Sequence, residues 1–226
     1  FGGLGYNAFN PALVGRAFLQ AAFPAAMTTW TEAMAPDRFT TLPASTLTLP
    51  FAAPVYDGAS GATPLSLMKF DGDITATGDL LLGLTSGSTG ETCAVLILLG
   101  GAYLAARRML NWRIPVAILA TVAILSWLLN LWNPAVYPPA GFMLFSGGLM
   151  LGAVFMATDM VASPITPWGS VIYGMLIGAL ITVIRLWGGM PEGVMYAILL
   201  ANAVSPHIDN LIRPRVYGTP GVLRDG

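Results

Sequence analysis

The stretch IPVAILATVAILSWLLNLW, from Ile114 to Trp132, contains no charged side chain and decides what kind of fold this chain can adopt. At about 1.5 Å of rise per residue, a helix of this length approaches the thickness of a bilayer's hydrocarbon core, about 30 Å. Pro115 lies in the first turn, where proline has no backbone hydrogen bond to lose. The stretch therefore predicts a membrane-spanning α-helix.

The composition of the whole chain extends this prediction. Hydrophobic residues make up 55% of the 226 residues and charged residues only 9%, whereas about a quarter of the residues of a soluble domain are charged. The apolar runs are continuous and do not alternate with polar residues as barrel strands do. We predict an all-α polytopic membrane protein, a single transmembrane domain over residues 1–226 in contact with the lipid bilayer. The net charge of −1 argues against nucleic acid as a partner.

Six apolar segments are candidates for helices at membrane depth, and several are short or carry glycine or proline. Broken helices of this kind line internal sites in transporters. The second segment opens with Ser88-Thr89-Gly90-Glu91, which has the spacing of a capping box. The candidates are about 10–27, 91–106, 114–132, 142–157, 168–187 and 192–205.

The placement of arginine predicts the orientation in the membrane. Two arginine clusters follow the second and the sixth segments, and alternation of the segments puts both on one side, which the positive-inside rule makes cytoplasmic. The C-terminus would then be cytoplasmic, and the long loop of about 28–90 would lie on the outer side. The clusters are Arg107, Arg108 and Arg113, then Arg213 and Arg215.

The outer loop contains the run DGASGAT, from Asp57 to Thr63. A threonine between alanine and proline has an unobstructed hydroxyl, and the glycines allow close approach of another backbone; a plain β-turn is the ordinary explanation. The complete run resembles the D-x-x-S-G-A-T acceptor signature of covalent flavinylation. The resemblance implies that a flavin transferase joins the phosphate of FMN to the Thr63 hydroxyl as a phosphoester. The rest of the acceptor motif is Asp57, Ser60, Gly61 and Ala62.

Five further motifs occur in a fixed order along the chain. They are NPALVGRAFL (10–19), SGSTGET (86–92), FMATDMVASP (155–164), MPEGVMYAILLAN (190–202) and RPRVYG (213–218). Together they resemble the D subunits of the Rnf complex, the ion-translocating ferredoxin:NAD⁺ oxidoreductase, and the related B subunits of the sodium-pumping NADH:quinone reductase. The resemblance covers essentially the whole chain, and its ending favours the Rnf type. The opening FGGLGYNAFNPALVGR looks like the middle of such a protein, so we expect its N-terminal part to be missing.

The resemblance implies a fold like that of urea transporters, with two inverted halves that each place a broken helix near the midplane. It implies covalent FMN on Thr63 and a second, non-covalent flavin, riboflavin, among the helices. Flavins supply redox chemistry, and the protein supplies position and electrostatics. It also implies a bacterial inner-membrane complex that translocates Na⁺ or H⁺. Other membrane and peripheral subunits, one of them also covalently flavinylated, would exchange electrons with this chain, which would not be catalytic alone.

The sequence offers little for other redox centres. One cysteine, Cys93, and one histidine, His207, cannot build a metal centre or an iron–sulfur cluster within this chain. No glycine-rich dinucleotide fingerprint follows a strand, so electrons must arrive from partners. A passive channel or solute transporter is the alternative from another class, because broken helices serve that function too. The acceptor motif distinguishes the two, since a channel has no use for it.

Three polar side chains are candidates for contacts with a flavin. Arg16 lies within an apolar segment, where a charge is costly and is usually functional or paired. It could stabilise an anionic reduced flavin, or form a structural pair with a carboxylate. Asn10 could cap the half-helix that follows it. Arg185, near the outer end of its segment, either snorkels or contacts the phosphate of FMN.

Three acidic residues are candidates for an ion path. Asp159 stands beside a proline-interrupted helix, where a carboxylate could coordinate Na⁺, relay H⁺ or simply cap a turn. Glu192 heads the last segment, where a negative charge also suits the helix dipole. Asp209 lies near Arg213 in the sequence, which predicts an interfacial ion pair or an ion entrance.

Overall fold

The computed structural model describes residues 5–28, 30, 62–88 and 90–213. Within these ranges the chain is helical and contains no β-strand, in agreement with the predicted all-α class. Two π-helical turns, Leu67–Asp71 and Gly152–Met156, continue the third and eighth helices. The α-helices are α1 (Pro11–Ala22), α2 (Pro24–Thr28), α3 (Pro64–Ser66), α4 (Thr77–Leu82), α5 (Ala94–Ala106), α6 (Arg113–Trp132), α7 (Ala140–Phe145), α8 (Leu149–Leu151), α9 (Pro167–Trp187) and α10 (Val194–Leu211).

The centre of the fold is the pair of helices α6 and α9, with α10 packed against α9. Gly174 and Gly178 of α9 let the two backbones approach closely, because a Cβ on either would lie 2.9 Å from a backbone carbonyl oxygen of α6. This G-x-x-x-G spacing is a common contact between membrane helices. Ile118 of α6 and Ile177 of α9 are fully buried in the same apolar cluster.

Two helices of the described ranges, α6 and α9, are long and apolar enough to cross a membrane, judged by length and composition. Of the six segments predicted at membrane depth, these are the two whose helices are long and apolar enough for a full crossing. Much of the outer face of α6 is apolar, since Ile124, Trp127 and Leu131 are all exposed. Such a face suits contact with lipid or with another apolar helix.

The other four predicted segments are broken or displaced. The first breaks at Phe23, because Pro24 has no N–H with which to continue the ladder of α1. The fourth divides into α7, α8 and a π-helical turn. The second begins at Ala94, and the predicted bond from the Ser88 N–H to Glu91 Oε1, 3.1 Å long, forms in the turn before it. The sixth, α10, begins at Val194 and runs on to Leu211.

The long outer loop of about 28–90 is described from Ala62 onward, apart from residue 89, and contains α3 and α4. Three residues of the acceptor motif, Asp57, Ser60 and Gly61, lie outside the described residues. The described helices do not test the inverted repeat or the single domain over residues 1–226, which stay predictions. Thr63 is described, and it stands at the first turn of α3.

Candidate functional site

A cavity of about 460 Å³ lies where several helix ends meet. Its walls come from α1, α2 and α3, the turns before α5 and α10, and the break between α7 and α8. This volume falls within the range of about 300–1,000 Å³ that is typical of small-molecule sites. The polar side chains of its lining are Arg16, Gln20, Thr28, Thr63, Ser66, Thr85, Ser86, Glu91, Thr92 and Glu192.

Thr63 lines this cavity and caps α3. Its hydroxyl oxygen accepts a hydrogen bond from the Ser66 backbone N–H at 3.3 Å and lies 2.9 Å from the Ser66 hydroxyl oxygen. The expectation of an unobstructed hydroxyl is therefore wrong: the side chain is half-buried and already hydrogen-bonded. Pro64 and Leu65, which follow it, are buried and fix the segment against the protein.

Lys69 ties the segment that carries Thr63 to the end of α9. Its ammonium donates to the carbonyl oxygens of Arg185 at 3.1 Å, Met190 at 3.0 Å and Gly188. The last carbonyls of a helix have no intrahelical partner, so a cation here satisfies that of Arg185, together with two carbonyls just beyond α9, and also suits the helix dipole. Partial burial lowers the pKa of Lys69. The lysine therefore holds the segment that carries Thr63, here called the acceptor segment, at the edge of the cavity.

Glu91 and Arg16 face each other in the cavity wall, with Glu91 Oε2 3.7 Å from Arg16 Nη1. Only 6% of Glu91 is exposed. Its Oε1 accepts from the Ser88 N–H, and its Oε2 has no hydrogen-bond partner among the described residues. Burial raises the pKa of Glu91, the charge of Glu192 raises it further, and Arg16 opposes both. Arg16 thus has the carboxylate partner that was one of its two predicted roles.

The break between α7 and α8 is held by Arg185 and Glu192. Arg185 is 1% exposed and donates to the carbonyl oxygens of Met143 at 2.6 Å and Ser146 at 3.0 Å. Its Nη2 lies 3.5 Å from Glu192 Oε1, and Glu192 Oε2 accepts from the Gly148 N–H at 3.1 Å. The two side chains therefore satisfy carbonyls and an amide that the interrupted helix leaves free.

Glycine is required where this break meets the charged groups. Gly147 has φ of +61°, and a Cβ there would lie 2.5 Å from Glu192 Oε2 and from Leu65 Cδ1. A Cβ on Gly148 would lie 2.8 Å from Glu91 Oε2. The backbone of the break thus comes close to both carboxylates, and the Gly147-Gly148 pair is the sequence signal of that approach.

The lining suits a flavin nucleotide in three respects. Arg16 supplies a cation for a phosphate. Glu91 Oε2, unpartnered among the described residues, supplies an acceptor for the N–H and hydroxyl donors of a flavin and its ribityl chain. Trp30, Phe145 and Tyr196 supply aromatic surface. The side chains present therefore fit the group that the acceptor motif implies.

The other two candidates for flavin contacts have structural partners. Asn10 caps α1, since its Oδ1 accepts from the N–H groups of Ala12 at 3.0 Å and Leu13 at 3.3 Å. Its Nδ2 donates to the Met156 carbonyl oxygen at 3.2 Å, which joins α1 to the π-helical turn after α8. Asn10 and Arg185 do not belong to the described lining of the cavity, and their flavin contacts stay predictions.

The acidic candidates do not meet at one place. Glu192 lines the large cavity, whereas Asp209 lines another cavity of about 390 Å³. Asp159 accepts from the Val161 N–H at 3.2 Å and the Asn7 side-chain amide at 3.4 Å. The predicted pair of Asp209 with Arg213 is wrong. The ion pairs of the described chain are Arg16–Glu91 and Arg185–Glu192, and Asp209 instead accepts from the Ile165 N–H at 3.1 Å.

Sequence reasoning missed the partners that position the predicted residues. Lys69 is one of two cations in an acidic loop, but nothing local pairs it with carbonyls more than a hundred residues later. The spacing before α5 predicts only a capping role for Glu91, and its place in the cavity wall depends on the packing of α1. Ser66, three residues after Thr63, has the spacing of a helix cap and was the one signal available in the sequence.

Comparison with known proteins gives a consistent result. The sequence model described as the NQR2, RnfD, RnfE family matches residues 1–218. The chain is 41% identical to the D subunit of the proton-translocating ferredoxin:NAD(+) oxidoreductase complex of Clostridium ljungdahlii, with 96% of this chain and 63% of that protein covered. It is 43% identical to the D subunit of the ion-translocating oxidoreductase complex of Stutzerimonas stutzeri, with 96% and 65% covered. For the D subunit of the Na(+)-translocating ferredoxin:NAD(+) oxidoreductase complex of Acetobacterium woodii the identity is 40%, with 100% and 64% covered. The chain thus spans less than two thirds of the length of these curated relatives.

Proposed function

The chain belongs to the NQR2, RnfD, RnfE family, and from this premise we propose that it is the flavin-carrying membrane subunit of a redox-driven, ion-translocating ferredoxin:NAD⁺ oxidoreductase. The curated relatives described above are D subunits of complexes with this activity or of ion-translocating oxidoreductase complexes. Their names imply further subunits as partners. The chain contributes one step of electron transfer and depends on these partners for the rest.

The observation that carries the proposal is the position of Thr63 on the wall of the cavity of about 460 Å³. The threonine ends the acceptor motif, and its hydroxyl is the nucleophile for a flavin transferase. A phosphoester at this oxygen places FMN beside the cation of Arg16 and several aromatic rings. It also places FMN beside Glu91 Oε2, which has no hydrogen-bond partner among the described residues. When bound, FMN supplies electron transfer.

The residues around the cavity have separable tasks in this proposal. Arg16 offsets the negative charge of the phosphate, and Glu91 places a carboxyl oxygen beside the cofactor. Lys69 holds the acceptor segment against α9. Arg185 and Glu192 stabilise the break between α7 and α8 beside the cavity through hydrogen bonds to its backbone.

Four further parts of the proposal rest on the family and on the placement of residues along the sequence rather than on contacts. A second flavin, riboflavin, binds among the helices, and Asp159, Glu192 and Asp209 serve a path for Na⁺ or H⁺. A second covalently flavinylated subunit exchanges electrons with this one. The complex lies in the bacterial inner membrane, with Thr63 on the outer side and the C-terminus in the cytoplasm.

Replacement of Thr63 by valine tests the flavin site. The chain is co-expressed with a flavin transferase, and its band on a denaturing gel is viewed under ultraviolet light, which excites covalent flavin. Thr63→Val should abolish the fluorescence while the protein remains in the membrane. Thr85→Val is the matched control, because it removes another hydroxyl from the same cavity and should leave the band fluorescent. A wild-type band without flavin, or a fluorescent Thr63→Val band, would contradict the proposal.

The outer location of Thr63 has its own test. Ala62 is exposed and adjoins Thr63, so a cysteine at Ala62 should react with a membrane-impermeant thiol reagent in intact cells. Cys93 is first changed to serine, which leaves the introduced thiol alone in these 226 residues. If the cysteine is labelled only after the cells are permeabilised, Thr63 lies on the cytoplasmic side and the proposed orientation is wrong.

A further inference from the structure

Glu91 differs from the other charged groups of the cavity in having one oxygen without a hydrogen-bond partner among the described residues. Its side chain is nine-tenths buried, and its other oxygen is held by the Ser88 N–H. Glu192, in contrast, accepts from Gly148 N–H, lies 3.5 Å from Arg185 and is 29% exposed. A buried carboxylate oxygen with no donor is a costly arrangement, and it is least costly when the carboxyl is protonated.

We propose that Glu91 is the redox-linked proton acceptor of the cavity. Its carboxylate takes one proton from a hydronium ion of the solvent, whose O–H bond breaks to leave water, as one electron enters the flavin from a redox partner subunit. It returns that proton to water when the electron leaves. The carboxylate becomes a carboxylic acid through a new O–H bond, and no other covalent bond of the protein changes. This inference rests on the proposed function, since it requires a flavin at Thr63.

The charges around the cavity give the reason. The ionisable groups that face Glu91 are Arg16 on α1, Arg185 on α9 and Glu192 before α10. With Glu91 itself they comprise two positive and two negative charges, which balance. A phosphoester on Thr63 adds one negative charge, and each electron adds another. In a cavity of low effective dielectric, such charges repel far more strongly than they do in water, and a proton on a nearby carboxylate offsets the charge that one electron adds.

Glu91 is the acidic group of the described lining that is best placed to accept this proton. Burial, together with the charge of Glu192, raises its pKa. Protonation of Glu91 therefore costs less free energy than protonation of an exposed carboxylate with an ordinary pKa. Protonation of Oε2 also weakens its attraction to Arg16, 3.7 Å away, which frees the guanidinium to interact with the phosphate. Protonation of Glu192 instead would remove the negative charge that attracts Arg185, 3.5 Å away.

The test is redox-difference infrared spectroscopy of the purified complex, in water and in D₂O. Reduction of the wild-type flavin should produce a new protonated-carboxyl band that shifts in D₂O. Glu91→Gln keeps the size of the side chain and an oxygen that can accept from Ser88, and it should lose this band. Asp79→Asn, which removes an exposed carboxylate on α4, is the matched control and should retain it.

Each outcome decides the matter. Absence of a reduction-linked carboxyl band in the wild-type complex, or its persistence in Glu91→Gln, would overturn the proposal. If Glu91→Gln fails to assemble, Glu91→Asp serves in its place, because it should displace the band without removing it; an unshifted band would assign the proton to another group. A complex whose flavin-carrying chain shows no fluorescent band refutes the proposed function instead, and the gel separates that failure from this one.

Discussion

Replacement of Arg185 by methionine should destabilise the protein more than the loss of any exposed charge. Arg185 is buried and donates to the carbonyl oxygens of Met143 and Ser146, at 2.6 and 3.0 Å, and it pairs with Glu192. Methionine has a similar length and stays apolar, so the main loss is of these interactions and not of packing.

The magnitude follows from the contacts. A hydrogen bond that involves a charged group contributes about 1.5–3 kcal/mol net, so the two carbonyl bonds of Arg185 contribute about 3–6 kcal/mol. Two facts reduce the expected cost. Methionine no longer buries a charge or the Nε that lacks a partner among the described residues, and Glu192 keeps its bond to Gly148 and some exposure to water. We expect a loss of about 3 kcal/mol, or about 6–12 °C in Tm for a domain of this size.

The single cysteine of the chain supplies the assay. Cys93 is half-buried, and a thiol-reactive dye that fluoresces on binding reports its exposure as the protein in detergent is heated. Arg107→Met is the matched control, because Arg107 is exposed at the end of α5, and its cost should stay within about 0.5 kcal/mol. Arg185→Lys should be intermediate, since one ammonium cannot form the same fork. If Arg185→Met and Arg107→Met have the same Tm, the stability of the break between α7 and α8 does not depend on the guanidinium of Arg185.

Three further outcomes are expected. Lys69→Met should speed amide hydrogen exchange in residues 62–72 but not in α6, because the three carbonyl bonds to the end of α9 are lost; unchanged exchange would exclude the clamp. Gly147→Ala should lower the Tm, since positive φ alone costs about 1–2 kcal/mol and its Cβ meets Glu192. Gly189→Ala, with no atom in its way, should not, and equal Tm values would contradict this account. Asp159→Asn keeps the acceptor for the Val161 N–H, so reduced ion-dependent turnover with normal flavin would indicate an ion path, whereas wild-type turnover would indicate a cap.

The helical class and the family could be predicted from the chain because each depends on local sequence, and Thr63 as flavin acceptor stays a prediction from the same kind of local signal. Apolar runs without alternation predict helices wherever they are placed, and the order of the motifs is a property of the chain alone. Of the six segments predicted at membrane depth, two are long and apolar enough for a full crossing, and several of the others are broken, as their glycine and proline residues predict. Glycine and proline mark where a helix can break: the C-cap of α1 is Phe23, before Pro24, and that of α7 is Ser146, before Gly147. The free energy gained when the separate helices are capped and packed depends on residues distant in sequence, so it cannot be read from the local sequence.

The candidate site required the tertiary structure because its side chains are distant in sequence. Arg16 meets Glu91, and Lys69 meets the last carbonyls of α9, only after the helices pack. The pairing of charges is set by distances of a few ångströms, which no spacing along the chain specifies. The sequence alone thus determined the helical class and the family, and it singled out Thr63 as the predicted flavin acceptor. The packing alone decided which charges surround that residue, since burial and proximity set the energy of each ionised group.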